Sequence, residues 1–496
     1  MSTLPNLATL ETSAGTARNG SKPKSAGTMR IAMLLPDGVG VRNFVLGKFL
    51  ERATDVAEVD VFHRVPDEAL PSYTAHLGEA MDRVRWQPLQ SFNPPRMTLA
   101  LQYALGYAQM YWADTHSMRR LRDQLPKGKK TWQAFVRGSR FLGRLNASPK
   151  SMRRLEGVYC HEADRLPEVA HYRKLFEARR PSVLFSSNQI PSTTVPAVLA
   201  AKQLGIPTAS FIFSWDNLSS KGRITAPFDH FLVWSDLMRR ELLHYYPHVR
   251  REQIHVVGTP QFEPYSDKSL LWSRDEFFRK IGADPARKLI CYSGGDTLTC
   301  PEDPGHLRVL LELIRSGRIP GNPQVILRPA PVDDGKRYLK VRQDFPELIV
   351  AQPEWLHSSS ANWSLVFPTP QDVRFLVNVT HHCDMNVNMG STMTLDFGIQ
   401  DKPVVNIAFD ISDPPYFGQT YWDYYYCFEH LQPVLEAKAS RVARTKDQFA
   451  EHIAAYLKDP SLDREGRRKL ADLEVGAPLE KSTELIVEAL RRVARP

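Results

Sequence analysis

The sequence predicts an α/β protein of two Rossmann-like domains facing each other across a cleft. Three observations lead there. Short apolar runs alternate with stretches of helical apolar spacing. The alternation breaks at a helical linker near Ser273–Ile281 and then restarts. The chain has 496 residues, and a single core seldom organises more than about 250–300.

The first alternation opens with a strand at Met29–Leu35, a Pro-Asp-Gly-Val-Gly turn at 36–40, a helix over Val41–Glu51 and a strand at Val56–Val61. It resumes with a strand at Ser182–Ser186, a helix near Thr194–Leu204 and a strand at Thr208–Phe213. A strand at Phe231–Trp234, a helix to about Tyr245 and a strand at Ile254–Val257 complete it. The second set has strands at Leu289–Tyr292, Gln324–Leu327, Leu365–Phe367, Met385–Asn388 and Pro403–Ala408, with helices near 304–316, 371–380 and 392–400.

The expected organisation is therefore a disordered polar tail at 1–27 and a first domain at 28–265 with a basic helical insertion near 95–155. A second domain follows at 285–445, and the helices of 446–496 pack back across the junction. Two such domains make the GT-B arrangement the natural fold choice.

Composition excludes several classes. The hydrophobic fraction of 42% and charged fraction of 24% are those of a globular protein, not a disordered one. The N-terminus lacks the basic start and apolar run of a secretory signal. No window approaches the roughly 20 consecutive apolar residues of a spanning helix. Cys160, Cys291, Cys300, Cys383 and Cys427 lie far apart, which suits reduced thiols in a cytoplasm and gives no metal or redox pattern.

The net charge of +9 is concentrated between Ser117 and Arg154, where twelve Lys and Arg residues face one acid, Asp123. Leu121, Trp132, Phe135 and Phe141 interleave with them, a mixture suited to the inner face of an anionic membrane. An ordinary solvated basic face is the alternative. No nucleic-acid partner is expected.

The strongest local feature is Asn388-Met389-Gly390-Ser391-Thr392-Met393-Thr394-Leu395-Asp396, which follows a strand and opens a helix. Free amides at a helix start favour anions, Gly390 permits close approach, and the Ser391 and Thr392 hydroxyls can donate to phosphate oxygens. Simple N-capping would also explain those hydroxyls. The loop with Gly294, Gly295 and Thr297 follows the first strand of the same domain, and Arg328 follows the next. A guanidinium matches phosphate geometry. These residues are the expected grip on a donor diphosphate, without metal or cofactor.

In the first domain, Ser214–Gly222 puts Asp216, Asn217 and Lys221 on one strand-end loop. Asp216 is the expected base for an acceptor hydroxyl. Asn217 and Lys221, together with Asn188 after the strand Ser182–Ser186 and Asp37 in the glycine turn, are expected to touch the acceptor, and Asp37 is the alternative base. The aromatic run Tyr416–Glu429 could stack on a sugar or a base, or simply pack.

These segments resemble the CDP-glycerol glycerophosphotransferase and surface-carbohydrate glycosyltransferase superfamily over about Pro207–Asp410. That family's Trp-His-Gly loop with a downstream Lys-Gly is matched by Trp215, Asp216, Asn217, Lys221 and Gly222, with Asp216 where the family has its catalytic histidine. The family's His-Pro is matched by Arg328-Pro329, and its Asp-Tyr-Ser-Ser by Met389–Thr392. The resemblance implies a nucleotide-sugar donor, a saccharide or lipid-linked acceptor, and an inverting, metal-independent transfer in cell-envelope polysaccharide or capsule synthesis. Glycerophosphate transfer, epimerisation of a nucleotide sugar and a non-catalytic membrane-surface scaffold are the alternatives.

Overall fold

A computed structural model describes residues 29–124, 126–357 and 365–494; the expected tail lies outside the described residues. The first sheet comprises β1 (Met29–Leu35), β2 (Ala57–His63), β3 (Val84–Pro88), β4 (Val183–Ser186), β5 (Thr208–Phe211), β6 (His230–Val233) and β7 (Ile254–Val256). Its order is β3-β2-β1-β4-β5-β6-β7, with every pairing parallel. The central strands β4 and β5 are buried from end to end because helices cover both faces. Phe44 shows the packing, with its ring edge-on to Phe49, Phe185 and Phe211 at 5.2–5.4 Å between centroids.

The later strands are β8 (Leu289–Ser293), β9 (Gln324–Arg328), β10 (Ile349–Val350), β11 (Trp355–His357), β12 (Val366–Pro368), β13 (Met385–Asn388), β14 (Val404–Ile407) and β15 (Arg441–Ala443). Six of them form a second parallel sheet in the order β10-β9-β8-β13-β14-β15. Both sheets reverse direction of growth beside their first strand, between β1 and β4 and between β8 and β13. Ligands of open parallel sheets gather at such switch points.

Two local expectations need correction. The strand expected at Leu365–Phe367 falls on β12, which pairs antiparallel with β11 in a separate ribbon instead of joining the second sheet. That ribbon docks on the first domain: a Cβ on Gly38 would lie 1.8 Å from the Val366 carbonyl oxygen, and the Tyr73 hydroxyl donates to the Pro368 carbonyl at 2.6 Å. The helix expected at Val41–Glu51 is split into a π turn at Val41–Val45 and a helix at Phe49–Val56. The Leu46 amide bonds back to the Val41 carbonyl at 3.0 Å, five residues away, which defines that turn.

Between β3 and β4 lies an annex of helices at Arg96–Ala113, His116–Asp123, Lys130–Leu145 and Pro149–Ala163, followed by the sheet-covering helix Pro167–Arg179. No helix among the described residues is long and apolar enough to cross a membrane. The last helix, Ser482–Val493, returns to the first domain and packs on Phe49–Val56. There the buried Glu263 carboxylate accepts from the Thr483 amide at 2.5 Å, and Gly258 admits Ser482 where a Cβ would lie 2.4 Å from its Oγ.

Candidate active site

Asp37 follows β1 and caps the Gly38–Gly40 turn. Its Oδ1 accepts from the Gly40 amide at 2.8 Å and its Oδ2 from Asn188 Nδ2 at 2.9 Å. Burial pushes this carboxyl above its ordinary pKa, against the pull of those donors and of Arg42. Asn188 in turn accepts from the Ile190 amide at 2.9 Å. The two buried side chains therefore tie the turn after β1 to the loop after β4.

The loop after β5 is knit into a chain of hydrogen bonds. The Phe213 amide donates to Gln189 Oε1 at 3.0 Å, Gln189 Nε2 to Asn217 Oδ1 at 3.0 Å, and Asn217 Nδ2 to Asp216 Oδ1 at 3.1 Å. The Ser220 hydroxyl donates to Asp216 Oδ2 at 2.7 Å, and Lys221 Nζ stands 3.8 Å away. Burial works to raise the Asp216 carboxyl, but Lys221, His430 and the Ser214 and Ser220 hydroxyls outweigh it and hold the pKa at about 2. Such a carboxylate is a poor proton acceptor at neutral pH and a good fixed negative charge.

In the second domain a ladder of buried amides holds the turn after β13. Asn386 Nδ2 donates to Ser293 Oγ at 2.8 Å, Asn388 Nδ2 to Asn386 Oδ1 at 2.7 Å, and the Ser391 amide to Asn388 Oδ1 at 2.8 Å. Gly390 has φ +77°, the left-handed region that favours glycine, and a Cβ there would lie 3.1 Å from the Tyr425 ring. Ser391 Oγ accepts from the Met393 amide at 3.3 Å, while Thr392 occupies the N-cap without a capping bond from its hydroxyl.

Gly294 and Gly295 owe their lack of a side chain to packing. A Cβ on Gly294 would lie 2.4 Å from Tyr338 Oη, and one on Gly295 2.4 Å from Cys300 Sγ. Thr297 is exposed at the tip of the same loop. Arg328, at the end of β9, is buried and grips both Asp372 oxygens through Nη2 at 2.9 and 2.8 Å; its Nη1 is buried without a partner.

Sequence reasoning missed three members of the site. Arg42, in the π turn, is drawn below its ordinary pKa by burial, opposed by Asp396, Tyr265, Asp372 and Asp37. Asp396 takes a hydrogen bond from Tyr265, and burial pushes its carboxyl up to about 6 against the pull of Tyr265, Arg42 and Arg328. Two guanidiniums, one from each domain, thus act on the same carboxyl. The third is His430, whose Nδ1 is buried with no partner. Burial lowers its pKa, so the imidazole is neutral at pH 7 despite the opposing Asp216 charge. Only the place of Arg42 just after the glycine turn, of Asp396 at the end of the Asn388–Asp396 segment and of His430 just after the aromatic run hinted at them.

The aromatic run joins the two halves. Tyr425 Oη donates to the Gly390 carbonyl at 3.3 Å, the Tyr425 and His430 centroids lie 6.4 Å apart, and His430 meets Trp215 edge-on at 5.1 Å. The annex closes over this path. Thr115 and Ser117 hydroxyls donate to the Ser219 carbonyl at 2.6 and 2.8 Å, and the His116 amide donates to Glu429 Oε1 at 2.8 Å. The Arg120 guanidinium lies 4.3 Å from the Tyr424 ring centre. Part of the expected membrane segment is thus a clamp across the cleft.

Two parallel sheets with paired switch points and a shared cleft define the GT-B class of α/β protein. No family model matches the sequence, and no curated protein matches it. Solved structures do match. The chain is similar to the UDP-GlcNAc 2-epimerase of Neisseria meningitidis bound to UDP-GlcNAc, with TM-score 0.51 and 10% identity over 94% of this chain and 100% of that one. It is similar to the UDP-GlcNAc 2-epimerase of Methanocaldococcus jannaschii, with the same score, identity and coverage. A glycosyltransferase from Rickettsia africae gives TM-score 0.50 and 9% identity over 94% and 98% of the two chains. At such identities the likeness is one of fold.

Proposed function

We propose that the protein binds a nucleotide-diphosphate sugar in the cleft and transfers the sugar to an acceptor hydroxyl. The observation that carries this reading is the succession of neighbours from the Gly390 turn to Tyr425, to the His430 ring and on to Trp215, the residue before Asp216. It joins a phosphate-suited turn to a proton-handling pair. In the resembling family a histidine stands where this chain has Asp216; here an imidazole reaches that loop from the other domain.

The acceptor oxygen attacks the anomeric carbon while His430 takes its proton, and the bond to the diphosphate breaks with its electron pair leaving on phosphate oxygen. The ionised Asp216 stabilises the resulting imidazolium, as a carboxylate does beside a catalytic histidine. Arg42, the free Nη1 of Arg328 and the Gly390–Thr392 turn offset the charge of the departing diphosphate, which supports a metal-independent transfer. The acceptor class we favour is a saccharide or lipid-linked glycan of the cell envelope, met at the cytoplasmic side of the membrane.

A second reading is rearrangement of the nucleotide sugar itself. It is supported by the Asp37 and Asp396 carboxyls, both raised by burial, the latter to about 6, so that Asp396 exchanges protons near neutrality. The similarity to 2-epimerases points the same way. Proton NMR of the protein with candidate nucleotide sugars distinguishes the two. A transferase leaves the sugar intact until an acceptor is added, whereas an epimerase converts it alone. A thermal-shift screen without any nucleoside diphosphate hit would defeat both.

Arg42→Met is expected to weaken nucleoside-diphosphate binding about 10- to 100-fold, the loss of one or two charge-assisted hydrogen bonds. Isothermal titration measures it; unchanged affinity removes Arg42 from the site.

A further inference from the structure

We infer that the helix Lys130–Leu145 is a docking face for an anionic lipid surface. This stands independently of the proposed reaction. At about 100° per residue, Ala134, Phe141 and Leu145 fall on one line of the helix, with Lys130, Arg137 and Arg144 along its flank. Phe141 and Leu145 are 64% and 65% exposed. The opposite face, with Val136, Ser139 and Gly143, is buried. A Cβ on Gly143 would lie 2.7 Å from the Ala104 carbonyl oxygen, so the helix is locked against Arg96–Ala113 and cannot roll to hide the stripe.

Charge selects the occupant. The annex acids are already engaged: Asp114 by Arg119 and Arg122, Asp123 by Arg122 and Arg140, and Glu156 by Arg153 and Arg223. Among the described residues no ion pair involves Lys130, Arg137 or Arg144, nor the neighbouring Lys127 and Lys129. A rigid apolar line with unpaired cations beside it fits the boundary between acyl chains and anionic headgroups. A nucleic-acid backbone would meet the cations yet leave Phe141 and Leu145 in water.

Sedimentation of the full chain with phosphatidylcholine vesicles, with and without about one third phosphatidylglycerol, tests this. Binding is expected only with phosphatidylglycerol, with release as salt rises from about 0.1 M to about 0.5 M. The double variants Phe141→Ser/Leu145→Ser and Arg137→Glu/Arg144→Glu are each expected to lower partitioning at least about tenfold with an unchanged melting temperature. Equal partitioning of variants and parent, or equal binding to uncharged vesicles, overturns the inference. So does a dimer of the parent that the serine variant converts to monomer, because the stripe would then belong to a second copy.

Discussion

Replacement of His430 by alanine is expected to lower turnover by about 10²- to 10⁴-fold while leaving nucleoside-diphosphate affinity nearly unchanged. The imidazole contacts Trp215 and lies in the field of Asp216, on the acceptor side of the cleft, so its loss removes proton transfer and not the donor grip. The pH profile supplies a second signature. Burial lowers the imidazole pKa below its ordinary 6.5, and the reaction needs the neutral ring. Activity should therefore hold from pH 7 down to 6.5 and decline only below it, and the His430→Ala protein should lose that limb. Asp216→Asn should also slow turnover, since the imidazolium would lose its counter-charge. Full activity of the His430 variant would return the base to some other group.

The other large effect is on stability. Asp372→Ala is expected to cost about 3–5 kcal/mol, because it strands a buried guanidinium. The Arg328 and Asp372 side chains are 7% and 5% exposed, and Asp372 is the only acceptor of the Arg328 guanidinium among the described residues. The same carboxylate accepts from Trp355 Nε1 at 2.7 Å and from the Glu354 amide at 3.0 Å. Its removal should loosen the β11–β12 ribbon against which Gly38 rests. Denaturant unfolding measures the loss; a change below about 1 kcal/mol would mean that water reaches Arg328.

The alternation of strands and helices was legible because central strands of parallel sheets are apolar from end to end and finish in polar loops. β4 shows it plainly, apolar from Val183 to Phe185 with Ser187–Gln189 just beyond it, whereas in β13 the buried Asn386 and Asn388 interrupt the pattern and only Met385 and Val387 signal the strand. The edges were not legible. β10 and β15 have two and three residues, too few for any pattern, and β3 ends in Pro88 at a half-exposed edge. At the site, motif reading found the turns but not the pairings. Asp37 with Asn188, Arg328 with Asp372 and His430 with Trp215 join residues far apart in the chain, and residue type alone does not say whether a polar group faces a ligand or another side chain. For Asp216 the sequence offered a carboxylate of unknown basicity; Lys221, His430 and the Ser214 and Ser220 hydroxyls around it make it a fixed charge.

The return of the helix Ser482–Val493 to the first domain has a consequence for biogenesis. The first domain keeps one flank uncovered, around Phe49–Val56, until the helix Ser482–Val493 has left the ribosome. Neither half is then an independent unit of expression, and a chain shortened by one helix at its end should fail first in the domain made earliest.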